Sequence, residues 1–440
     1  MLFHNLRIAA KSLRRNTTLT VLIVSGIALG IAVATTFAAF RHAFAKHPIP
    51  QKADTLRYVR LDSWDPLKPY PGADPTQPPT QITYRDMTGI MQSKIPIRQS
   101  GMFVSNFYVY PDPKVSRPFR ELVRLCFSDF FPMFDVPFRY GSGWDKKADA
   151  GPEAVAVLSE QMNDKLFGGR NSVGKTVRLA DRDFRVVGVL ARWEPNLRFY
   201  DLTQGGVRPP ENIYIPFNLL KPMQIRTNGN SDGWGAGGAP GFEGFLQSET
   251  CWIQFWVELP SPAAAGAYLD FLNAYVLEQK KIGRFARPLN NRLSTVSEWV
   301  DIAGAVPRQA TAMLIVSLLF LAVCAVNLVG LLLGKFLARG GEVGVRRALG
   351  ATRVDIFLQH IVECELVALV GGAIGLLLSL GALAGMNAWL KATQARGDFF
   401  HLDAPMILLS VGLALAAGLI AGAYPAWRTC RLAPAEHLKI

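Results

Sequence analysis

Gly169, Gly174, Lys175 and Thr176 are spaced as GxxxxGK[ST], a pattern in which backbone amides wrap a phosphate and the lysine reaches its outer oxygens. That chemistry needs a buried apolar strand before the glycines and a helix after them, so that the helix N-terminus faces the anion. The flanks have the opposite character. Upstream, Glu160–Phe167 has helical spacing; downstream, Val177-Arg-Leu, Ala180-Asp-Arg-Asp and Phe184-Arg-Val-Val-Gly-Val-Leu read as a β-hairpin. The motif is therefore expected to be a turn without nucleotide. No other set of residues has catalytic or metal-binding spacing: carboxylates occur singly in this region, no CxxC occurs, and the six histidines (His4, His42, His47, His360, His401, His437) form no ligand cluster.

The elements that must carry any function fall into two environments. Thr18–Phe40, Ala310–Gly334, Leu366–Met386 and Pro405–Ala426 contain no Lys, Arg, Asp or Glu, and each is long enough to cross a bilayer, which takes about 20 residues. Between the first and second lies a segment, His42 to Arg308, rich in Pro, Gly, charge and aromatics. The expected fold is a membrane protein with four transmembrane α-helices, one N-terminal and three C-terminal, and a large mixed α+β domain inserted between helices 1 and 2. In segments, this is an amphipathic helix (1–17), helix 1 (18–40), the inserted domain with stalk-like helix ends (41–309), helix 2 (310–334), a connecting segment (335–360), helix 3 (361–386), a loop (387–404), helix 4 (405–426) and a tail (427–440).

The formal net charge of +13 is concentrated at the membrane edges. Arg7, Lys11, Arg14 and Arg15 precede helix 1; Lys335, Arg339, Arg346, Arg347 and Arg353 fill the segment between helices 2 and 3; Arg428, Arg431 and Lys439 follow helix 4. The positive-inside rule makes those three segments and both termini cytoplasmic, and puts the inserted domain outside. This distribution argues against nucleic acid as a partner. A signal-peptide reading, with Ala43-Phe44-Ala45 as cleavage site, is disfavoured because the apolar run exceeds the ~7–15 residues of a signal core. Of the five cysteines, Cys126 and Cys251 are expected outside, and whether they pair is left open by their spacing.

Within the inserted domain, strands are expected at Leu56–Leu61, Phe103–Tyr110, Arg120–Cys126, Thr176–Leu179, Phe184–Leu190, Asn212–Pro216 and Thr250–Glu258. Helices are expected at Tyr84–Met91, Glu160–Phe167 and Pro262–Lys280. Asn228–Gly244 is Gly-rich and reads as a mobile loop. Val296–Ala310 has helical spacing and is expected to run into helix 2 as a stalk.

The connecting segment Gly341–Asp355 suits two short helices with a break. Glu342 and Arg346 stand at i,i+4, Val345 and Leu349 present an apolar edge, Gly350 can end the first helix, and Thr352-Arg-Val-Asp355 can cap the second. In the spans, Gly26 and Gly30, Gly371 and Gly375, and Gly418 and Gly422 form four-residue small-residue repeats that permit close packing. Asn327 places an amide in hydrocarbon, and its expected role is a hydrogen bond between helices.

These residues resemble a family. Leu6–Asn16, Glu342-Val-Gly-Val-Arg-Arg-Ala-Leu-Gly-Ala351 with Asp355-Ile, Tyr424-Pro-Ala-Trp-Arg428 with Leu432-Ala-Pro-Ala435, and the Phe127–Trp144 and Gly168–Leu190 stretches are similar to MacB-like and FtsX-like permease subunits of bacterial ABC transporters (type VII, mechanotransmission). The resemblance implies an inner-membrane permease that binds no cofactor and is not itself an enzyme, with ATP and Mg used by a separate ATPase subunit. That subunit would dock on Glu342, Val343, Val345, Arg346, Arg347, Leu349, Gly350 and Ala351. It also implies a dimer, either a homodimer or a pair with a paralogue, whose large domain is periplasmic. The expected work is export of a drug, peptide or lipid-like substrate with a periplasmic adaptor and an outer-membrane channel; lipoprotein release, or FtsX-like activation of a cell-wall hydrolase, are the alternatives.

Overall fold

The computed structural model describes residues 17–71, 74, 76–111, 117–151, 153–234, 239–394, 396 and 398–431. Residues 1–16 of the expected amphipathic helix, the Leu6–Asn16 signature and Leu432–Ala435 lie outside them. The chain forms two compact units, one spanning His47–Ala305 and the other made from the residues on either side.

After α1 (Thr17–Ala45), the inserted unit runs β1 (Leu56–Arg60), α2 (Tyr84–Ile90), β2 (Arg98–Tyr110), β3 (Phe119–Cys126), α3 (Phe130–Met133), β4 (Phe138–Gly141), α4 (Lys146–Ala150), β5 (Val155–Leu158) and α5 (Glu160–Phe167). It continues through β6 (Thr176–Leu179), β7 (Arg182–Leu190), β8 (Ile213–Pro216), α6 (Gly241–Leu246), β9 (Gln254–Glu258), α7 (Pro262–Lys281), β10 (Arg292–Ser294) and α8 (Val296–Ile302). The strands join in one mixed sheet ordered β10-β1-β9-β2-β3-β8-β5-β7-β4, with β6 pairing to β2 and β7. The β3/β8 and β5/β7 pairs are parallel.

The seven expected strands are present, Thr176–Leu179 with the expected ends and the other six with shifted ends; β4, β5 and β10 were not anticipated. β5 is Val-Ala-Val-Leu with every residue buried, so it lacks the alternation that marks a half-exposed strand. The apolar faces close over Phe103, Phe127, Phe217 and Trp252, whose rings meet edge-on or stacked at 4.9–5.3 Å.

Two expectations in this unit are corrected. The described part of Asn228–Gly244 is anchored: Asp232 and Cys251 exchange backbone hydrogen bonds at 2.9 and 2.8 Å, Trp234 donates its indole N–H to the Ser63 carbonyl at 2.7 Å, and α6 begins at Gly241. A glycine-rich composition was read as mobility although Trp234 supplies a fixed point. The stalk is also interrupted. α8 closes with Gly304 at φ +62, the Ala305 amide donating to the Val300 carbonyl and the Gly304 amide to that of Asp301, the left-handed glycine stop of a Schellman motif. Pro307 then precedes the next helix, and the residue before a proline is pushed out of helical conformation. No single helix spans 296–310.

The second unit comprises α1 with α9 (Arg308–Leu337), α10 (Gly340–Ala348), α11 (Arg353–Gln394) and α12 (Ala404–Cys430). Among the described residues, α1, α9, α11 and α12 are the four helices long and apolar enough to cross a membrane. α11 runs unbroken from Arg353 through helix 3, as expected of a helix started by Thr352–Asp355, because these two residues cap it and no proline follows.

Small residues set the spacing of these helices. A Cβ on Gly375 would lie 2.7 Å from the Ala28 carbonyl oxygen, and one on Gly371 2.9 Å from Ile27 Cβ, so α11 meets α1 backbone to backbone. Gly418 and Gly422 of α12 face Ala368 and Cys364 of α11, and Gly30 of α1 faces Leu321 of α9; Gly26 has only an ordinary contact with Leu328. Thr35 and Ser410 share a buried hydrogen bond of 2.8 Å between α1 and α12, a polar tie that the sequence reading did not include. Asn327 is not tied to another described helix of this chain. Its side chain is exposed on the outer face of α9, beside Val323 and Val326, and among the described residues it makes no hydrogen bond between helices. Helical phase places it on the face opposite Leu321, Leu328 and Leu332, which are buried.

Candidate functional site

In the GxxxxGK[ST] turn the amides of Val173, Gly174 and Lys175 are already committed within the protein, Val173 N–H donating to Asn171 Oδ1 at 3.0 Å. Gly174 N–H donates to the Val186 carbonyl at 2.8 Å and Lys175 N–H to that of Ser172 at 2.9 Å, while the Lys175 ammonium lies over the Phe167 ring at 5.4 Å. Its neighbours are the helix α5 upstream and the hairpin β6–β7 downstream. The geometry is that of a hairpin lead-in.

The segment between α9 and α11 has a definite architecture. α10 ends at Gly350, whose φ of +100 suits glycine; the Ala351 amide donates to the Arg346 carbonyl and the Gly350 amide to that of Arg347, again a Schellman closure. Two residues later Thr352 and Asp355 bond reciprocally: the Thr352 amide donates to Asp355 Oδ2 at 3.1 Å, and the Asp355 amide to Thr352 Oγ1 at 3.2 Å. Carboxylate charge at a helix start also favours the dipole. The elbow is thus tightly specified on both sides.

α10 has two faces. Val343 is buried against Ile356 and Cys430, with Ala351 and Phe357 packed alongside. Val345 is 49% and Leu349 83% exposed, and Val354 and Leu358 continue this apolar edge onto α11. Such an edge next to charged side chains is suited to a protein surface. Glu342 is exposed, Arg346 and Arg347 are half-buried, and Arg346 donates to Gln359 Oε1 at 2.7 Å. Arg346 therefore turns one guanidinium arm inward to α11.

Beneath α10 lies a charge cluster that sequence reasoning missed. Lys335, expected in a loop, belongs to α9 and is fully buried; its Nζ is 2.6 Å from Glu363 Oε1 on α11. Arg339 reaches the same oxygen at 3.5 Å, and the His360 ring packs on Phe336 at 4.0 Å. Arg339, Glu342, Val343, Arg346, Ile356, Gln359, His360 and Glu363 surround a small cleft at this joint. A signal was present: Glu363 is a carboxylate at the edge of an apolar span following a basic segment, and such a residue requires a nearby cation.

The inserted unit has its own buried network. Arg124 of β3 bonds Asp201 at 2.7 Å and also Glu211; Arg198 bonds Glu211 at 2.8 Å, and the Tyr200 hydroxyl donates to Glu211 at 3.0 Å. Burial pushes the Glu211 and Asp201 carboxyls up, but the guanidinium groups of Arg124 and Arg198 overcome it and hold both below the usual carboxylate range. Two positive and two negative groups compensate one another, as a structural network should. Cys126 and Cys251 are separate, buried free thiols.

Comparison with known proteins assigns both parts of the chain. Residues 20–273 match the family described as MacB-like periplasmic core domain, and residues 314–434 that described as FtsX-like permease C-terminal. A macrolide export ATP-binding/permease protein MacB of Syntrophobacter fumaroxidans is 24% identical over 342 residues, 70% of this chain and 46% of that protein. A pyoverdine export ATP-binding/permease protein PvdT of Pseudomonas entomophila is 25% identical over 311 residues, 70% of this chain and 41% of that protein. The chain spans about half the length of the curated relatives it matches. The crystal structure of the periplasmic region of MacB from Actinobacillus actinomycetemcomitans aligns over 56% of this chain and 92% of that one, with 12% identity and a TM-score of 0.36.

Proposed function

The chain belongs to the MacB-like, FtsX-like family of ABC transporter permeases, and from that premise we propose that it couples ATP hydrolysis by a separate ATPase subunit to conformational work in its periplasmic domain. The observation that carries the reading is α10: a short basic helix with an exposed apolar edge, between two helices able to cross a membrane and joined to the second through the Gly350 closure and the Thr352–Asp355 cap. Val345 and Leu349 offer the apolar contact to the ATPase, and Arg346 and Arg347 the charged one. ATP and Mg are used by the ATPase and not by this chain.

In this reading two permease chains and two ATPase chains assemble in the bacterial inner membrane, with both termini and α10 cytoplasmic, an orientation that the distribution of Lys and Arg supports. The work is export, with a periplasmic adaptor and an outer-membrane channel; the relatives' names, macrolide and pyoverdine export, support a small-molecule cargo. In the double variant Arg346→Glu/Arg347→Glu, co-purification with a partner ABC ATPase and ATP-dependent activity are both expected to be lost. Retention of both sinks the assignment of α10. Adaptor in the purified complex supports export, whereas a lipoprotein carrier or a cell-wall hydrolase in its place replaces that part of the reading.

A further inference from the structure

Lys335 of α9 and Arg339, the residue that immediately precedes α10, converge on a single carboxylate of α11. Lys335 and Glu363 are 0% and 2% exposed and 2.6 Å apart, and Arg339 approaches the same oxygen at 3.5 Å. One turn earlier on α11, Gln359 accepts from Arg346 of α10 at 2.7 Å, and His360 packs on Phe336 of α9 at 4.0 Å. The contacts form a ladder: one cation of α9, one at the junction between α9 and α10, and one of α10, against acceptors spaced one turn apart on α11.

A buried ion pair adds little net stability over well-packed apolar side chains, yet removing one partner strands a charge at high cost. Its distinctive contribution is geometric. Apolar side chains tolerate sliding of one helix on another, whereas the pairing of Glu363 with Lys335 and Arg339 holds at one register. This fixes both the register and the rotation of α9 against α11 at the end where α10 is attached. The Schellman closure at Gly350 and the reciprocal Thr352–Asp355 cap remove slack from the remaining connection.

We propose that Glu363 is a positioning residue that locks α9, α10 and α11 into one rigid body, so that a push on α10 reaches both long helices together. The role in transmission rests on the reading of α10 as the ATPase-docking element; the lock itself does not.

The test uses the full chain in lipid nanodiscs with spin labels at Val345 of α10 and Leu377 of α11, both exposed, and measures their distance distribution. Glu363→Gln is expected to broaden it by about twofold or more, and the swap Lys335→Glu/Glu363→Lys to restore it. The apolar pair Lys335→Met/Glu363→Met keeps thermal stability near that of the native chain but leaves the distribution broad, an outcome that a purely structural role would not produce. A native-like width in Glu363→Gln, or in the apolar pair, overturns the lock. A second arm adds the partner ATPase with ATP and vanadate and follows labels in the inserted domain; the ATP-driven change should fall about tenfold or more in Glu363→Gln and return in the swap. If the native complex shows no ATP-driven change while the first arm behaves as stated, the coupling reading fails and the lock stands.

Discussion

Trp299 of α8 donates its indole N–H to the backbone carbonyl of Phe199 at 3.0 Å, and its ring stacks on Tyr58 at 3.9 Å with no exposed surface. Trp299 thereby adds a ring contact and a hydrogen bond to the β10–β1 pairing that fastens the C-terminal end of the inserted unit to its core. Trp299→Ala is expected to cost about 3–5 kcal/mol, and Trp299→Phe, which keeps the ring but not the donor, about 1–2 kcal/mol including the unpaired carbonyl. Denaturant midpoints of the full chain in detergent, followed by near-ultraviolet circular dichroism, give both values; equal losses would contradict the division between ring and hydrogen bond.

The Arg124–Glu211 network makes the inserted unit acid-sensitive. Glu211 and Asp201 have carboxyls held below their ordinary range in the folded state, so their contribution is fully present above the unfolded carboxyl values near pH 4 and is lost as pH falls through the folded ones. Glu211→Gln leaves Arg198 and Arg124 short of an anion and is expected to lower stability by about 3–5 kcal/mol at neutral pH. The difference between variant and native chain should shrink toward low pH. A constant difference from pH 7 to pH 3 would show that Glu211 acts through packing and not charge.

Close helix contact in the membrane unit predicts an asymmetric glycine scan. Gly375→Ala drives a methyl group against the Ala28 carbonyl and Ile31 and should destabilise by about 1–3 kcal/mol. Gly381→Ala, on the same helix with open space around it, should be neutral or slightly stabilising because alanine favours helix. Unfolding of the reconstituted chain in a detergent series measures both, and equal effects would remove the packing argument.

Cys126 and Cys251 should resist alkylation in the native chain. Burial pushes both thiols up, Cys251 to about 12, so little thiolate exists at pH 8, and both lack surface exposure. Intact mass after iodoacetamide should show neither modified before denaturation and both modified after it without reductant. Failure to label after denaturation would indicate that the two are joined.

Much of the chain was legible because its signals are local. Runs free of charge mark the four long helices, glycines at four-residue spacing mark where they can approach, and Ser159 and Gly168 bracket α5, accepting from the Met162 amide at one end and turning to φ +62 at the other. The stop at Gly304 and Pro307 was equally local and was overridden by the apolar periodicity on either side of it.

What stayed hidden depends on residues distant in sequence. Arg124 meets Glu211 across 87 positions and Asp201 across 77, and no spacing rule connects them. Asn327 needs a polar partner by chemistry, but helix rotation, set by which face packs on α1 and α12, turned it outward.

The joint between α9 and α11 shows the division most clearly. Sequence alone determined that a short basic helix lies between two apolar ones, since hydrophobic run length, glycine stops and caps act over one or two turns. That Lys335 is buried, and that it shares Glu363 with Arg339, was decided only by tertiary structure, because a charge tolerates burial only where packing brings its counter-charge within reach.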